Sequence, residues 1–248
     1  MDQQTTDTDQ QTAHVGAQTT CLDRAKALSN RVINLALKNK RIVILAVCVM
    51  VFVELLDDIL EGDLMRLDTF AYWFFVENLR SDAITPVMEA FSNLATPLCL
   101  LVLLLMVVAF APGKRPGLCC ALNLVLVIIL NQVLKALVQR PRPEGFNLVV
   151  ESGFSFPSGH SMVAMAFFGL FIWLVWKYKE DSTMRMVSCV CFAIIIVMMG
   201  ISRIYLGVHY ASDVIAGFCV SLAWLAIYTR VVAPLFLEGA IPRRKDSQ

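Results

Sequence analysis

Six apolar stretches, each near the length of a membrane-crossing helix, constrain this sequence more than any other feature. A helix needs about 20 predominantly apolar residues to cross a bilayer. Hydrophobic residues make up 58% of the 248-residue chain and charged residues only 17%, below the roughly one quarter that is typical of soluble domains. The sequence therefore predicts an all-α, polytopic membrane protein built as a six-helix transmembrane bundle. The predicted spans cover residues 42–60, 84–110, 118–138, 161–177, 186–201 and 212–232.

The remaining segments are expected to lie outside the bilayer. Residues 1–22 are rich in Gln, Thr and Asp, which predicts a disordered cytoplasmic tail. Residues 23–40 show the pattern of an amphipathic helix at a membrane surface, although an ordinary cytosolic helix fits as well. Residues 41–84 are expected to hold the first transmembrane helix and an aromatic segment at the outer lipid interface. The predicted core covers residues 85–232, and residues 233–248 are expected to form a second cytoplasmic tail.

The distribution of basic residues predicts the orientation. Most of the 21 Lys and Arg residues fall on the side that carries both termini, which predicts cytoplasmic termini in a cell (plasma) membrane. The absence of an N-x-S/T acceptor favours a bacterial membrane. The net charge of +1 gives no reason to expect a nucleic-acid partner. The basic residues on the outward side are Arg66, Arg80, Lys135, Arg140, Arg142 and Arg203.

The cysteines indicate neither a disulfide framework nor a metal site. All of the eight except Cys21 lie within apolar runs, and their spacing does not match that of zinc ligands. We interpret them as small apolar packing residues. No metal ion or other cofactor is predicted.

Three polar motifs follow one another along the chain, each at the outward end of a predicted span. A membrane protein keeps polar and ionisable groups at such positions mainly where they serve a function. We therefore expect the three motifs to meet on one face of the membrane. They are Lys135-x6-Arg142-Pro143, Pro157-Ser158-Gly159-His160 and Ser202-Arg203-x5-His209-x3-Asp213.

The residue types in these motifs suit a phosphoryl group. Lys135, Arg142 and Arg203 supply three cations, and the planar guanidinium matches phosphate oxygens in a bidentate manner. Ser158 and Gly159 stand where a helix begins, at a position whose free backbone N–H groups favour an anion. These five residues are predicted to bind the substrate phosphate.

Two of the three histidines lie in the same motifs. Asp213 follows His209 by four residues, so that a helix places both side chains on one face. The carboxylate can accept the Nδ1 proton and leave Nε2 free as a nucleophile. His160 is then predicted to be the general acid for the leaving group and the base that activates water. The three cations supply the charge neutralisation that metal ions give in other phosphoryl-transfer enzymes.

Each motif taken alone also has an ordinary structural interpretation. A single Lys or Arg at a helix end is commonly an anchor that reaches the interface, and Pro-Ser-Gly is a common turn and helix cap. His209 with Asp213 alone could be a hydrogen bond at a helix start, and His14 in the tail is expected to have no catalytic role. The common side and order of the three motifs favour a site over coincidence. Arg140, Glu144 and Glu151 share the connecting loop and could contact substrate, but solvated loop charges are the preferred interpretation.

Together the motifs resemble the signature of the type 2 phosphatidic acid phosphatase family, whose fold is shared with the vanadium-dependent haloperoxidases. K-x6-RP, PSGH and SR-x5-H-x3-D match at every signature position, and the resemblance covers about residues 85–232. It implies a six-helix core with the site near the outer surface and a phosphohistidine intermediate. The residues implied are His209 as nucleophile, Asp213 as its orienting partner, His160 as the acid–base group, and Lys135, Arg142, Ser158, Gly159 and Arg203 as phosphate ligands.

The resemblance implies a metal-independent lipid phosphatase and leaves the substrate open. Undecaprenyl diphosphate is our first expectation because the site is predicted on the outer face; phosphatidylglycerophosphate and phosphatidic acid are the others. The expected partners are the lipid substrate and membrane lipids, with no expectation for oligomeric state. A lipid phosphotransferase using the same histidine is an alternative. A haloperoxidase is disfavoured because those enzymes are soluble, and a transporter because the polar groups collect at one face.

Overall fold

The computed structural model describes residues 39–62, 65–110 and 114–237. The chain divides into two compact units, residues 1–44 and 45–248, and the described part of the first is the opening turn of a helix. The predicted tail 1–22 and nearly all of the amphipathic segment 23–40 lie outside the described residues.

All regular structure in the described residues is helical, which confirms the all-α prediction. A single π-helical turn, Trp73–Asn78, continues directly from the second helix. The helices are α1 Lys40–Glu61, α2 Arg66–Tyr72, α3 Thr85–Asn93, α4 Pro97–Phe110, α5 Arg115–Val138, α6 Gly159–Tyr178, α7 Ser182–Tyr205, α8 Ala211–Val231 and α9 Ala233–Leu237.

Four of the described helices, α5 to α8, are long and apolar enough to cross a membrane. The predicted span 84–110 is instead two helices, α3 and α4, bent by 57° at the break before Pro97. The bend has a local cause, since proline has no N–H for the preceding turn and disfavours a helical residue before it. The broken pair raises the count to five at most. Helix α1, with Glu54, Asp57 and Asp58 near its end, is not among these spans, so the six-helix count is not confirmed.

Helix α6 lies at the centre of the bundle and packs against α5, α7 and α8. The largest hydrophobic cluster holds Phe167 and Leu170 of α6 together with Met199 of α7 and Leu225 of α8. The opposite face of α7 is exposed and apolar: Val187, Val190, Ile194 and Val197 recur at helical spacing. A continuous apolar face of this kind is what lipid tails require of a spanning helix.

Buried polar side chains also join the helices. Asn123 of α5 donates to the Ala166 carbonyl of α6 at 2.8 Å and accepts from the indole N–H of Trp224 of α8 at 2.9 Å. Each buried polar atom of this asparagine thereby has a partner, which avoids the cost of an unpaired group in an apolar environment. The contacts fix the register of the three helices.

Two segments differ from their sequence-based descriptions. Residues 233–237, predicted as the beginning of a tail, form α9, and Ala233 and Leu237 belong to the main hydrophobic cluster. The aromatic segment after α1 forms α2 and the π-helical turn. Its outer side exposes Phe70, Trp73 and Phe74, as expected of an interfacial segment, whereas its inner side buries a carboxylate, Asp68.

Candidate active site

His209 lies in the short loop between α7 and α8, where its ring is held at both nitrogens. Nδ1 is 3.3 Å from Oδ2 of Asp213, which lies in the first turn of α8. Nε2 is 3.2 Å from Nη1 of Arg142. A guanidinium has only donors, so Nε2 accepts and the ring proton belongs on Nδ1, where the carboxylate accepts it. The contacts thus select the tautomer whose Nε2 is unprotonated and carries the electron pair.

Burial keeps this imidazole neutral. His209 is 3% exposed, and burial lowers its pKa to about 4, although the hydrogen bond and charge of Asp213 act in the opposite direction. The cations Arg203 and Arg142 lower it further. At neutral pH the side chain is therefore unprotonated at Nε2, the state that a nucleophile needs.

Arg142 is anchored by main-chain carbonyls around the loop. Its Nε donates to Gly153 at 3.0 Å, Nη2 to Ser152 at 3.1 Å, and Nη1 to Val208 at 2.9 Å. Burial lowers the pKa of this guanidinium, while the carboxylates of Glu151 and Asp213 act to raise it. These hydrogen bonds hold the guanidinium beside His209. A membrane anchor would instead extend toward the membrane surface, so the anchor interpretation does not apply to Arg142.

Arg203 and Lys135 complete a cluster of cations. Arg203 is 1% exposed and donates from Nη1 to Ser92 and from Nη2 to Glu151, while its buried Nε has no hydrogen-bond partner among the described residues. Lys135 donates to the Phe154 carbonyl at 2.7 Å and interacts electrostatically with both arginines. Three cations held close together favour a polyanionic ligand, since of the two carboxylates that act on them, Glu151 and Asp213, the latter is already paired with Arg140.

His160 lies in the first turn of α6 and faces the same cluster. It interacts electrostatically with Arg203, Glu151, His209 and Lys135. The structure therefore brings the second histidine to the site that contains the first.

The start of α6 differs in one respect from the prediction. The backbone N–H of Ser158 is not free for an anion, because it donates to the Asp213 carbonyl at 3.0 Å, and the Ser158 hydroxyl is paired with that of Ser161 at 3.0 Å. The N–H groups of Gly159 and His160, at the first two positions of the helix, have no partner within it. These two groups fit the anion-binding role that the sequence assigned to the Ser158–Gly159 pair.

Close packing holds this turn in place. A Cβ on Gly159 would lie 3.0 Å from Oδ1 of Asn131, and the Nδ2 atom of Asn131 donates to the Pro157 carbonyl at 3.0 Å. A Cβ on Gly217 of α8 would lie 3.0 Å from the Ser158 carbonyl. Asn131 and Gly217 were not singled out from the sequence, since nothing in their local sequence distinguishes them.

The interpretation of Arg140 and Glu151 as solvated loop charges is wrong. The Arg140 side chain is only 10% exposed and forms ion pairs with Asp213 at 2.6 Å and Asp68 at 3.0 Å. Glu151 pairs with Arg203, and although burial raises its pKa, that cation and its neighbours lower it below the usual value overall. Glu144 is exposed, as that interpretation expects. Asp68 had one sequence signal, a carboxylate within an otherwise apolar and aromatic segment.

A cavity of about 280 Å³ adjoins the His209–Asp213 pair. Its walls combine Tyr72 and Val76 of the aromatic segment with Phe146 of the loop and His209 itself. The rings of Tyr72 and Phe146 lie edge to face, 5.0 Å apart. Within the described part of the chain, no group of three or more His, Cys, Asp or Glu side chains is arranged to hold a metal ion.

Comparison with known proteins shows a family match for one segment of the chain. Residues 116–236 match the model of the PAP2 superfamily. Phosphatidylglycerophosphatase B of Bacillus subtilis (strain 168) is 42% identical over 95 residues, which are 38% of this chain and 47% of that protein. Lipid A 1-phosphatase of Rhizobium johnstonii is 34% identical over 114 residues, which are 42% of each chain. This chain thus covers less than half of the length of either relative.

Two solved structures share the fold. The transmembrane PAP2-type phosphatidylglycerolphosphate phosphatase of Bacillus subtilis superposes with a TM-score of 0.66 at 28% identity, over 77% of this chain and 94% of that one. LpxE of Aquifex aeolicus superposes with a TM-score of 0.53 at 23% identity, over 66% and 96%. The segment that matches the family model, residues 116–236, contains all three motifs. Residues 116–236 therefore match the PAP2 superfamily, and the chain shares its fold with a PAP2-type phosphatase of known structure.

Proposed function

We propose that the protein is an integral membrane lipid phosphatase that hydrolyses a lipid phosphomonoester or diphosphate through a phosphohistidine at His209. The observation that carries this proposal is the His209–Asp213 pair, with Nε2 in contact with Arg142 of the cation cluster. The relatives named as lipid phosphatases support the substrate class. The cations, rather than a metal ion, are expected to neutralise the phosphoryl oxygens.

The first step transfers the phosphoryl group to the enzyme. The electron pair on Nε2 of His209 attacks phosphorus, an N–P bond forms, and the bond from phosphorus to the lipid oxygen breaks. His160 gives a proton to that leaving oxygen. Asp213 balances the positive charge that develops on the imidazole, while Arg142 and Arg203 hold the equatorial oxygens.

The second step releases phosphate. His160, now unprotonated, takes a proton from water as its oxygen attacks phosphorus. The N–P bond breaks and its electron pair returns to Nε2. Inorganic phosphate leaves with both histidines in their starting states, so that the cycle needs no further reactant.

The position of the site favours a lipid whose headgroup reaches the outer membrane surface. The motifs lie at one end of α5 to α8, and exposed aromatic residues of α2 and the π-helical turn lie beside them. We propose that both termini are cytoplasmic and that the site faces outward. Undecaprenyl diphosphate is the first substrate expected; phosphatidylglycerophosphate, which the names of two similar proteins contain, and phosphatidic acid follow.

The decisive experiment measures phosphate release by the purified full-length protein in excess EDTA. We expect H209A and H160A to lose activity by at least about 10³-fold, whereas H14A, which changes the third histidine, should match the wild type. An acid-labile phosphoenzyme should form in the wild type and be absent from H209A. Full activity in both H209A and H160A, or activity lost in EDTA and restored by Mg²⁺, would overturn the mechanism.

The substrate is identified by a panel of undecaprenyl diphosphate, phosphatidylglycerophosphate and phosphatidic acid under the same conditions. The preferred lipid is the one with the highest kcat/KM. Free phosphate is compared with phosphorylated acceptor alcohol, because transfer to an alcohol would identify a phosphotransferase.

A further inference from the structure

Asp68 and Arg140, neither of which is a signature residue of the three motifs, continue the hydrogen-bonded chain of the His209–Asp213 pair. Arg140 is one of the six residues between Lys135 and Arg142 in the K-x6-RP motif, and Asp68 lies on α2, outside the segment that matches the family model. We propose that Asp68 and Arg140 are positioning residues that hold the Asp213 carboxylate in the orientation His209 requires. This inference rests on the proposed function of His209.

The two oxygens of Asp213 have separate partners. Oδ1 accepts from Nη1 of Arg140 at 2.6 Å. Oδ2 accepts from the backbone N–H of Tyr210 at 3.0 Å and faces Nδ1 of His209 at 3.3 Å. Because Arg140 occupies one oxygen, the carboxylate cannot rotate without losing a charge-assisted hydrogen bond, and the other oxygen stays directed at the imidazole.

Arg140 is in turn fixed by Asp68. Nη2 of Arg140 donates to Oδ2 of Asp68 at 3.0 Å, and Nη1 also donates to the Ser212 hydroxyl at 2.8 Å. Asp68 accepts from both the N–H and the hydroxyl of Ser212, at 2.8 and 2.7 Å. The guanidinium lies 4.0 Å from the centre of the Tyr210 ring. The planar fork thus spans two buried carboxylates, which a Lys side chain, with its single charged nitrogen, would do less well.

The charges of the group favour the reaction. Asp68 and Asp213 are almost fully buried, with side chains 1% and 0% exposed, and Arg140 is the cation that pairs with both. Without it, two carboxylates would repel each other in one desolvated site. With it, the three residues carry one net negative charge, which complements the positive charge that develops on His209 during attack.

Arg140 and Arg142 flank the catalytic pair from opposite ends. Arg142 contacts Nε2 of His209, and Arg140 contacts the far oxygen of Asp213. Residues two apart in an extended chain are separated by roughly 6–7 Å, about the length of an imidazole joined to a carboxylate. Pro141 and Pro143 favour this extended path because proline fixes φ and disfavours helix at the residue before it.

A purely structural role would instead have Asp68 and Arg140 attach α2 to α8 without affecting the chemistry. The two roles differ in kinetics. The side chain of Arg140 donates to Ser212, Asp213 and Asp68, none of which is a proposed phosphate ligand. A positioning role therefore lowers kcat and leaves KM nearly unchanged, whereas loss of folded protein lowers the amount of active enzyme at unchanged kcat per folded molecule.

The test uses full-length D68N, R140Q and D68N/R140Q proteins, with R140K as the conservative variant. The control is E77Q, an exposed carboxylate in the same aromatic segment. We expect kcat per folded molecule to fall about 10- to 100-fold in D68N and R140Q, the effect of losing one charge-assisted hydrogen bond, with KM within about threefold. The double variant should lose no more than R140Q, because Asp68 acts through Arg140. R140K should recover part of the loss, and E77Q should equal the wild type.

A second readout follows the imidazole itself. In protein labelled with 15N-histidine, the signal that H209A removes should report a proton on Nδ1 in the wild type and a mixture of tautomers in R140Q. Unchanged kcat and unchanged tautomer in D68N and R140Q, with H209A inactive, would overturn the positioning role alone. Activity retained in H209A would instead overturn the proposed function on which it rests.

Discussion

His209 shows how neighbours of opposite charge set the state of one residue. Asp213 contacts Nδ1 and Arg142 contacts Nε2. The positive charge of an arginine disfavours protonation of a neighbouring histidine. Here Arg142 also determines which ring nitrogen carries the proton, because a guanidinium can donate a hydrogen bond but cannot accept one. The motif spacing predicted the contact with Asp213, whereas the contact with Arg142 required the fold.

The pKa of His209 leads to a first prediction. Since burial lowers it to about 4, the ring should stay neutral and Nδ1-protonated down to about that pH. Between the ordinary value of 6.5 and about 4 the unfolded chain binds a proton that the folded protein does not, so the free energy of unfolding should decrease as pH falls through this window. A 15N NMR titration of the three histidines measures the pKa. A signal absent from H209A that titrates near 6.5 would contradict this prediction.

Gly207, two residues before His209, leads to a second prediction. Its φ of +76° disfavours any side chain, and a Cβ there would lie 2.6 Å from the Phe146 carbonyl oxygen and 2.8 Å from Nη2 of Arg80. G207A should therefore lower the free energy of unfolding by about 2–4 kcal/mol. The matched control is G145A, where φ is +88° and nothing lies within 4 Å of the added atom, so that only the backbone cost of about 1 kcal/mol is expected. Equal thermal midpoints for the two variants in detergent would contradict the close contact.

At the scale of elements, α2 and the π-helical turn have two distinct sides. The inner side places Asp68 against Ser212 and Arg140. The outer side carries Phe70, Trp73 and Phe74, with neighbouring ring centres 6.0 and 6.3 Å apart. Exposed aromatic residues of this kind favour the interface between lipid headgroups and tails.

The third prediction places Trp73 at this interface. In proteoliposomes, the part of the fluorescence that the W73F variant lacks should be quenched more strongly by lipids brominated near the headgroup than by lipids brominated near the chain ends. The difference between wild type and W73F removes the contribution of the other tryptophans. Quenching by neither lipid would mean that this face contacts protein or water instead.

The elements also show where a sequence pattern is sufficient. The apolar runs predicted the bounds of α5 to α8 closely, because polar residues in the sequence mark the two ends of each run. The run 84–110 did not reveal its bend, since an apolar composition is compatible with either a straight or a broken helix. The tail prediction missed α9 because five residues are too few to show a helical period, and packing against the core stabilises the turn.

At the scale of the whole molecule, the three motifs meet at one end of the bundle, as their order along the chain predicted. What the sequence did not reveal are the supports between distant residues. Asp68 and Arg140 are separated by 72 positions and Ser92 and Arg203 by 111. No local pattern encodes such pairs, because each partner alone resembles an ordinary polar residue.

The fourth prediction concerns sidedness. Glu144 precedes α6 and Lys179 follows it, both exposed, so a cysteine at each position reports one end of that helix. In intact cells, a membrane-impermeant maleimide should label E144C, whereas K179C should be labelled only after permeabilisation. The wild-type protein gives the background labelling of the native cysteines. The reverse pattern would place the site in the cytoplasm and exclude a substrate presented on the outer face.

The contacts of Arg140 and Arg203 also bear on how this protein can be divided or recombined. Their partners Asp68 and Ser92 lie before residue 116, where the match to the family model begins. In a chimera that transfers only residues 116–236 into another protein, Arg140 and Arg203 would lose Asp68 and Ser92 as partners. They would instead face the side chains that the other protein has at those two positions. A transplantable catalytic unit must therefore begin no later than α2, so that both arginines move together with the partners that pair with them.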